Sequence, residues 1–360
     1  MKVHEKYMQR CIDLAKNGLG TTYPNPLVGS ILTHNDTIIG EGWHYKAGQP
    51  HAEVLAINSV EDKTLLKEAT IYVSLEPCSH FGKTPPCADL IINSGIKNVV
   101  IGSTDPNPQV AGKGIKKLKD AGCAVTVGVL QPKCDILNKR FFTFHTKKRP
   151  YIILKWAQTQ DGFLAPAETA TVSKKINAQQ PVWITNTYSR QRTHKLRAQE
   201  QAILVGTTTV LKDNPSLTTR HWEGRSPTRI ILDKNLRIPI EASVFDGNNP
   251  TIVLTEQEKK NSENLVFERI VFQKNLTQQI CSVLHRHNLQ SVIVEGGAQT
   301  INTFIDANIW DEAHIFTGNA NFETGVKAPT FSEEKINSVL ILSEETLALD
   351  TLQIFKNNST

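Results

Sequence analysis

The chain has 360 residues, of which 39% are hydrophobic and 21% charged, and a formal net charge of +5. This is ordinary globular composition, and at about 150 residues per domain it predicts two domains, each with room for its own core. No apolar run reaches the roughly 18 residues of a membrane-spanning helix, and neither residues 1–147, with 17 basic against 13 acidic, nor 148–360, with 23 against 22, are basic enough to demand nucleic acid. Residues 1–16 place Val3, Tyr7, Cys11, Leu14 and Ala15 on one helical face with charges opposite, which predicts a soluble amphipathic helix and not a secretory signal. Residues 28–32 and 37–42 flank the polar turn His34-Asn35-Asp36 and read as a hairpin. A helix over 52–59 opens just after His51, a β-branched strand covers 70–75, and helical spacing restarts over 87–93. Strands over 98–102 and 123–129 around a helix over 113–121 complete a mixed sheet of about five strands with helices packed on it.

Residues 143–150, polar and basic and ending in proline, read as the linker, which divides the chain into domains 1–147 and 148–360. Strand and helix alternation then begins again: strands over 151–156, 202–205, 229–232, 251–254 and 290–294, with helices over 189–199 and 301–306. The fold class expected for both halves is α/β. Six cysteines are too sparse for a disulfide scaffold. Cys11, Cys123, Cys134 and Cys281 are expected to be buried thiols, and the expected compartment is a reducing cytoplasm.

The chemistry-bearing constellation is His51-Ala52-Glu53, then Pro77-Cys78, then Cys87. Histidine and two cysteines supply three ligands to a tetrahedral zinc and leave one position for water, whereas structural zinc usually takes four protein ligands. Glu53 binds no metal and stands two residues from the histidine, as in the zinc-deaminase signature H-x-E followed by P-C-x-x-C, although here eight residues separate the cysteines. Zinc would activate a water, and Glu53 would take its proton and return it to the ring nitrogen and the leaving ammonia. A structural zinc completed by His44 or His80 is the rival reading of the same residues. His51 and both cysteines fall near strand ends and helix starts, where the helix dipole favours thiolate.

The block Glu76-Pro77-Cys78-Ser79-His80-Phe81-Gly82-Lys83-Thr84-Pro85-Pro86-Cys87, together with His51-Ala52-Glu53, closely resembles the deaminase half of the bifunctional deaminase/reductases of riboflavin biosynthesis. The resemblance implies a cytidine-deaminase-like first domain. It also implies that Asn25 and His44 line a pyrimidine pocket and that Lys83, Asp105 and Asn107 approach the ribose phosphate of the substrate. From about Tyr151 the chain resembles the reductase half of the same family, whose fold is similar to dihydrofolate reductase. The resemblance is carried by Trp183-Ile184-Thr185, Leu196-Arg197-Ala198, and 205–220 with its run Asp213-Asn214-Pro215-Ser216-Leu217-Thr218-Thr219-Arg220.

It implies that Ala157, Trp183, Thr209 and Asp213 contact NADPH and that Arg197, Leu217, Arg220 and Glu295 face the substrate. Glu295-Gly296-Gly297-Ala298-Gln299-Thr300 follows a strand and precedes a helix, so Gly297, Ala298, Gln299 and Thr300 are expected against cofactor phosphates at a helix N-terminus. It is not the G-x-G-x-x-G fingerprint, so a Rossmann domain is not expected. The chain departs from the family at Gln179-Gln180-Pro181-Val182, where an acidic residue and a serine commonly precede Trp-Ile-Thr, and the stretch from Asp161-Gly162 to Trp183 is longer and more irregular than usual.

The activities implied are zinc-dependent deamination of 2,5-diamino-6-ribosylamino-4(3H)-pyrimidinone 5′-phosphate and NADPH-dependent reduction of its ribosyl group to ribityl. The expected partners are that phosphorylated pyrimidine and further copies of the chain in a homo-oligomer, with no nucleic acid and no membrane. One rival is a zinc deaminase of another nucleoside or of RNA; the long Cys78–Cys87 insert and the second-half block argue against it. Another is a non-catalytic zinc-stabilised binding module, which has no need of Glu53.

Overall fold

Tyr7, Met8, Cys11, Ile12, Leu14 and Ala15 are buried at helical spacing along α1 (Val3–Ala15), so the first helix of this computed structural model buries the face expected from its apolar residues except Val3, which is exposed at its start. Residues 3–79, 85–107, 110–167, 182–331 and 338–359 are described, and the chain divides into two units, Met1–Lys148 and Arg149–Thr360. Among the described residues no helix is long and apolar enough to cross a membrane.

In the first unit β1 (Gly29–His34) and β2 (Thr37–Trp43) form the expected antiparallel hairpin, with Asn35 and Asp36 at positive φ in its turn. After α2 (Ala52–Ser59), β3 (Thr70–Leu75) pairs antiparallel with β1. Helix α3 (Cys87–Asn93) then returns the chain to β4 (Asn98–Ser103), parallel to β3. Helix α4 (Lys113–Asp120) leads in the same way to β5 (Ala124–Val127) and closes a five-stranded mixed sheet of order β2-β1-β3-β4-β5. Strand side chains alternate between two cores. Leu32, Ile71, Val73, Val99 and Ile101 pack with apolar residues of α2, α3 and α4, while Ile31, Tyr72 and Val100 pack with α1.

The stretch read as a linker is mostly helix. Beyond α5 (Gln131–Leu137), α6 (Lys139–Lys147) buries Phe141, Thr143 and Phe144, and ends at Lys148 with φ 54, two residues before Pro150. Two phenylalanines on one helical face outweigh the polar composition around them, because burying each is worth roughly 1.5–3 kcal/mol.

The second unit runs β6 (Tyr151–Thr159), β7 (Phe163–Pro166), α7 (Thr187–Gln199), β8 (Ala202–Gly206), α8 (Thr207–Asp213), β9 (Thr228–Leu232), β10 (Thr251–Thr255), β11 (Leu265–Arg269), α9 (Leu276–Arg286), β12 (Ser291–Val294), α10 (Ala298–Asp306), β13 (Glu312–Gly318), β14 (Gly325–Lys327), β15 (Val339–Leu347) and β16 (Asp350–Asn357). Its main sheet has the order β11-β10-β9-β8-β12-β6-β13-β16-β15. Strands β11 to β13 in that order are mutually parallel, and β16 and β15 add antiparallel at the edge. Sequence periodicity named no element beyond residue 306, so β13 to β16 are additions. The central strands are nearly continuous apolar runs because both faces are covered. Ile152, Leu154 and Trp156 of β6 enter one core, and Tyr151 and Ile153 the other. Lys155 is the single charge in β6, and the parallel register Leu154↔Val294 sets it beside Glu295, the residue that follows β12. Residues 168–181, which include Gln179, Gln180 and Pro181, lie outside the described residues.

Candidate active site

Each ligand candidate of the first unit occupies a helix or strand terminus. His51 is the N-cap of α2 and makes no side-chain capping bond, so its ring is not spent on its own helix. Cys78 follows β3 by three residues, and Cys87 is the first residue of α3. His51 Nδ1 lies 3.3 Å from Cys87 Sγ and 3.7 Å from Cys78 Sγ. The three ligand atoms lie within 4.8 Å of one another, the only such group of three or more among the described residues. One imidazole nitrogen and two sulfurs at this spacing fit zinc, whose bonds to nitrogen are about 2.0–2.1 Å and to sulfur about 2.3 Å. The Cys87 thiol donates toward Cys78, and the Cys87 N–H donates to Cys78 Sγ at 3.3 Å; with His51 beside it, the Cys78 thiol is pulled down to about 4. The same partnership, with burial, pushes the Cys87 thiol up.

Glu53 sits in the first turn of α2, only 3% exposed, and burial pushes its carboxyl up to about 7 against the opposing pull of His51. His44 is buried 5.3 Å from the His51 ring, edge to face. Its Nδ1 meets Pro50 O at 3.1 Å and its Nε2 meets Asn25 Nδ2 at 3.0 Å. A carbonyl only accepts and an amide NH₂ only donates, so this arrangement assigns the proton to Nδ1. Burial lowers the His44 pKa and keeps the ring neutral. Both nitrogens are engaged, and His44 is therefore not a fourth metal ligand. Asn25 and His44, 19 residues apart, are brought together as one pair. Asp105 closes a tight turn by accepting from the Asn107 N–H at 2.7 Å. Lys83 and His80 lie outside the described residues.

In the second unit Glu295 follows β12 directly, Thr209 lies in the helix that follows β8, and Lys155 and Ala157 lie in the second half of β6, the carboxyl side of the strands, where ligands of parallel sheets usually bind. Arg197 on α7 donates from Nη2 to Glu295 Oε2 at 2.9 Å and from Nη1 to Thr218 O at 3.2 Å. Lys155 Nζ lies 4.0 Å from Glu295 Oε1. All three side chains are nearly buried, so Arg197 is not the exposed arginine that any single one usually is. Burial opposes ionisation of Glu295, but Arg197 and Lys155 overcome it and hold the carboxyl below its ordinary value. Arg197 Nε and Glu295 Oε1 are buried without a hydrogen-bond partner.

Arg220 is exposed; its side chain reaches Ser216 Oγ and Thr218 Oγ1, and its N–H donates to His194 Nδ1 at 3.0 Å. Burial, reinforced by Arg197 and Arg220, pulls His194 down to about 4. Sequence reasoning missed Lys155 and His194. A lone lysine in an apolar strand was a usable signal; His194 offered only its place one helical turn before Arg197.

The Gly297 N–H donates to Thr209 Oγ1 at 3.1 Å, joining α8 to the N-cap of α10. Gly296 has φ +122, and a Cβ there would lie 2.9 Å from Thr209 Oγ1, so a glycine keeps this cradle open. With no side chain capping α10, the Ala298 and Gln299 N–H groups suit a cofactor phosphate, whereas the Gly297 N–H is already given to Thr209 and the Thr300 N–H to Gly297 O at 3.1 Å, so NADPH fits this turn through Ala298 and Gln299. Asp213 ends α8 half-buried, and burial raises its carboxyl. Leu217 is buried with φ 54, Ala157 lies in β6, and Trp183 is exposed with the Arg190 guanidinium 4.5 Å over its ring.

Comparison with known proteins agrees with this division. Residues 1–103 match the cytidine and deoxycytidylate deaminase zinc-binding region, and residues 150–343 match the RibD C-terminal domain. The riboflavin biosynthesis protein RibD of Aquifex aeolicus is 43% identical over 320 residues, covering 88% of this chain and 86% of that protein. That of Escherichia coli is 35% identical over 329 residues, covering 87% and 86%. The structure of a diaminohydroxyphosphoribosylaminopyrimidine deaminase/5-amino-6-(5-phosphoribosylamino)uracil reductase from Thermotoga maritima matches with a TM-score of 0.86 at 37% identity, covering 99% of each chain. The chain belongs to the RibD family of riboflavin biosynthesis, bifunctional enzymes with a zinc-binding deaminase domain followed by a reductase domain of the NADPH-using type.

Proposed function

We propose that domain 1–147 hydrolytically removes the 2-amino group of 2,5-diamino-6-ribosylamino-4(3H)-pyrimidinone 5′-phosphate, and that domain 148–360 reduces the ribosyl group of the product to ribityl. The observation that carries this reading is the buried carboxyl of Glu53 beside an N/S₂ ligand set of three protein atoms. Zinc, when bound, supplies Lewis-acid activation of water at neutral pH. His51, Cys78 and Cys87 hold it. Glu53 moves both protons of the water at its carboxylate, the first to the ring nitrogen and the second, from the added hydroxyl, to the amine that leaves as ammonia. Asn25 and neutral His44 face the pyrimidine, and Asp105 and Asn107 face the ribose phosphate, to which the family resemblance also assigns Lys83.

In the second domain the nicotinamide cofactor supplies the two-electron reduction. Thr209, Asp213 and the Gly297–Thr300 turn hold it, with Ala157 and Trp183 against it. Arg197, Leu217, Arg220 and Glu295 face the substrate; Arg197 Nε, buried without a hydrogen bond, and Glu295 Oε1, which has only the Lys155 ammonium at 4.0 Å, support this, since a buried polar atom without a hydrogen bond costs about 1–3 kcal/mol until a ligand meets it. A cytoplasmic homo-oligomer acting on a phosphorylated small molecule completes the reading.

Incubation of the full chain with the diaminopyrimidine phosphate and NADPH, following ammonia and NADPH together, tests it. Ammonia release preceding equimolar NADPH oxidation is expected; neither product forming would reject the assignment. Cys78→Ser, Cys87→Ser and His51→Ala each remove one of three protein ligands, so each is expected to lower zinc well below one per chain on metal analysis while reduction of the deaminated intermediate persists. Full zinc in all three variants would reject this ligand set.

A further inference from the structure

Glu76 stands between β3 and Pro77-Cys78 and has no part in zinc binding or proton transfer, yet it is only 4% exposed. Its carboxylate accepts four backbone N–H bonds. Oε2 receives Asp105 at 3.2 Å and Gly112 at 2.9 Å, and Oε1 receives Gly114 at 2.9 Å and Ile115 at 3.2 Å. A carboxylate only accepts and offers about four lone-pair directions, so these donors fill it. The start of α4 is pressed against the same segment, since a Cβ on Gly114 would lie 2.0 Å from Pro77 O. One side chain thereby ties the segment bearing Cys78 to the Asp105–Asn107 turn and to the first turn of α4.

We infer that Glu76 is a positioning residue, which sets the 105–107 turn relative to the zinc-ligand segment and so governs preference for the phosphorylated over the dephosphorylated pyrimidine. The inference rests on the deaminase reading above, in which that turn faces the ribose phosphate. Glutamine would keep the shape of Glu76 but turn an NH₂ toward two of the four backbone donors, leaving them unpaired and displacing the turn. His51, Glu53 and Cys87 are carried by α2 and α3, which make none of these four bonds, and Cys78 Sγ is held separately by the Cys87 N–H at 3.3 Å, so the chemistry at the ring is affected far less than the phosphate end.

The test compares the parental full chain with Glu76→Gln and with Glu76→Asp, which keeps the charge but shortens the reach to the four N–H groups. It measures kcat and KM for ammonia release from the pyrimidine 5′-phosphate and from its dephosphorylated riboside, with zinc content and reduction of the deaminated intermediate alongside. In both variants the preference for the phosphorylated substrate is expected to fall about tenfold, mainly through KM. Zinc stays at one per chain and reduction at the parental rate. An unchanged preference, an equal loss for both substrates, or loss of zinc or of folded protein would overturn the inference, because Glu76 would then support only the metal centre or the fold. Failure of the parental chain to release ammonia from either substrate would overturn the deaminase reading itself.

Discussion

Glu53→Gln is expected to keep one zinc per chain while ammonia release falls by roughly 10²-fold or more, the loss typical of removing a positioned acid/base group. The metal remains because the proposed ligand set is His51, Cys78 and Cys87, and Glu53 is outside it. Glutamine fills the same space in the first turn of α2 but cannot carry a proton between water and the leaving amine. Burial disfavours charge at this position and raises the Glu53 carboxyl, so neutral glutamine burdens the fold little. The same variant supplied with the deaminated intermediate is expected to oxidise NADPH at the parental rate, because the two units have separate cores. Near-parental ammonia release would remove Glu53 from the reaction; loss of zinc would make it a support of the metal centre.

Replacing the two arginines of the second unit is expected to give two different phenotypes. Arg197→Ala leaves the Glu295 carboxylate buried, with Lys155 at 4.0 Å as its remaining charged neighbour. Breaking one side of a buried ion pair costs about 3–5 kcal/mol, so the second unit is expected to melt earlier and reduction to be lost. Arg220 is exposed and bonded to the Ser216 and Thr218 hydroxyls, so Arg220→Ala is expected to spare stability. It should instead raise KM for the pyrimidine with a loss of about 1.5–3 kcal/mol, roughly 10- to 100-fold in kcat/KM. Calorimetry and steady-state reduction assays separate the two, and zinc content and ammonia release should stay near parental in both. Equal melting of both variants, or parental reduction by Arg220→Ala, would overturn the substrate role given to Arg220.

The metal centre was legible in the linear chain because few residue types bind zinc at all, and a histidine with two cysteines at helix and strand ends leaves little other chemistry to choose from. The α/β character of the second unit was legible for a similar reason: strands covered on both faces are nearly continuous apolar runs, and 202–205 is one, while 151–156 is interrupted only by Lys155 and 290–294 opens on Gln290 and Ser291 before Val292. Where periodicity and composition disagreed, composition misled. The polar tail of 143–150 reads as linker, but Phe141, Thr143 and Phe144 needed a three-dimensional neighbour before their shared face had meaning. Residues whose partners are distant in sequence were decided by tertiary structure alone. Arg197 finds Glu295 98 positions away, Lys155 meets the same carboxylate through strand register, and Glu76 collects N–H groups 29 to 39 residues further on. Local sequence sets what a side chain can do, as donor, acceptor or ligand; which of those capacities is used depends on what the packed sheet brings within about 3 Å of it, and no local pattern records that.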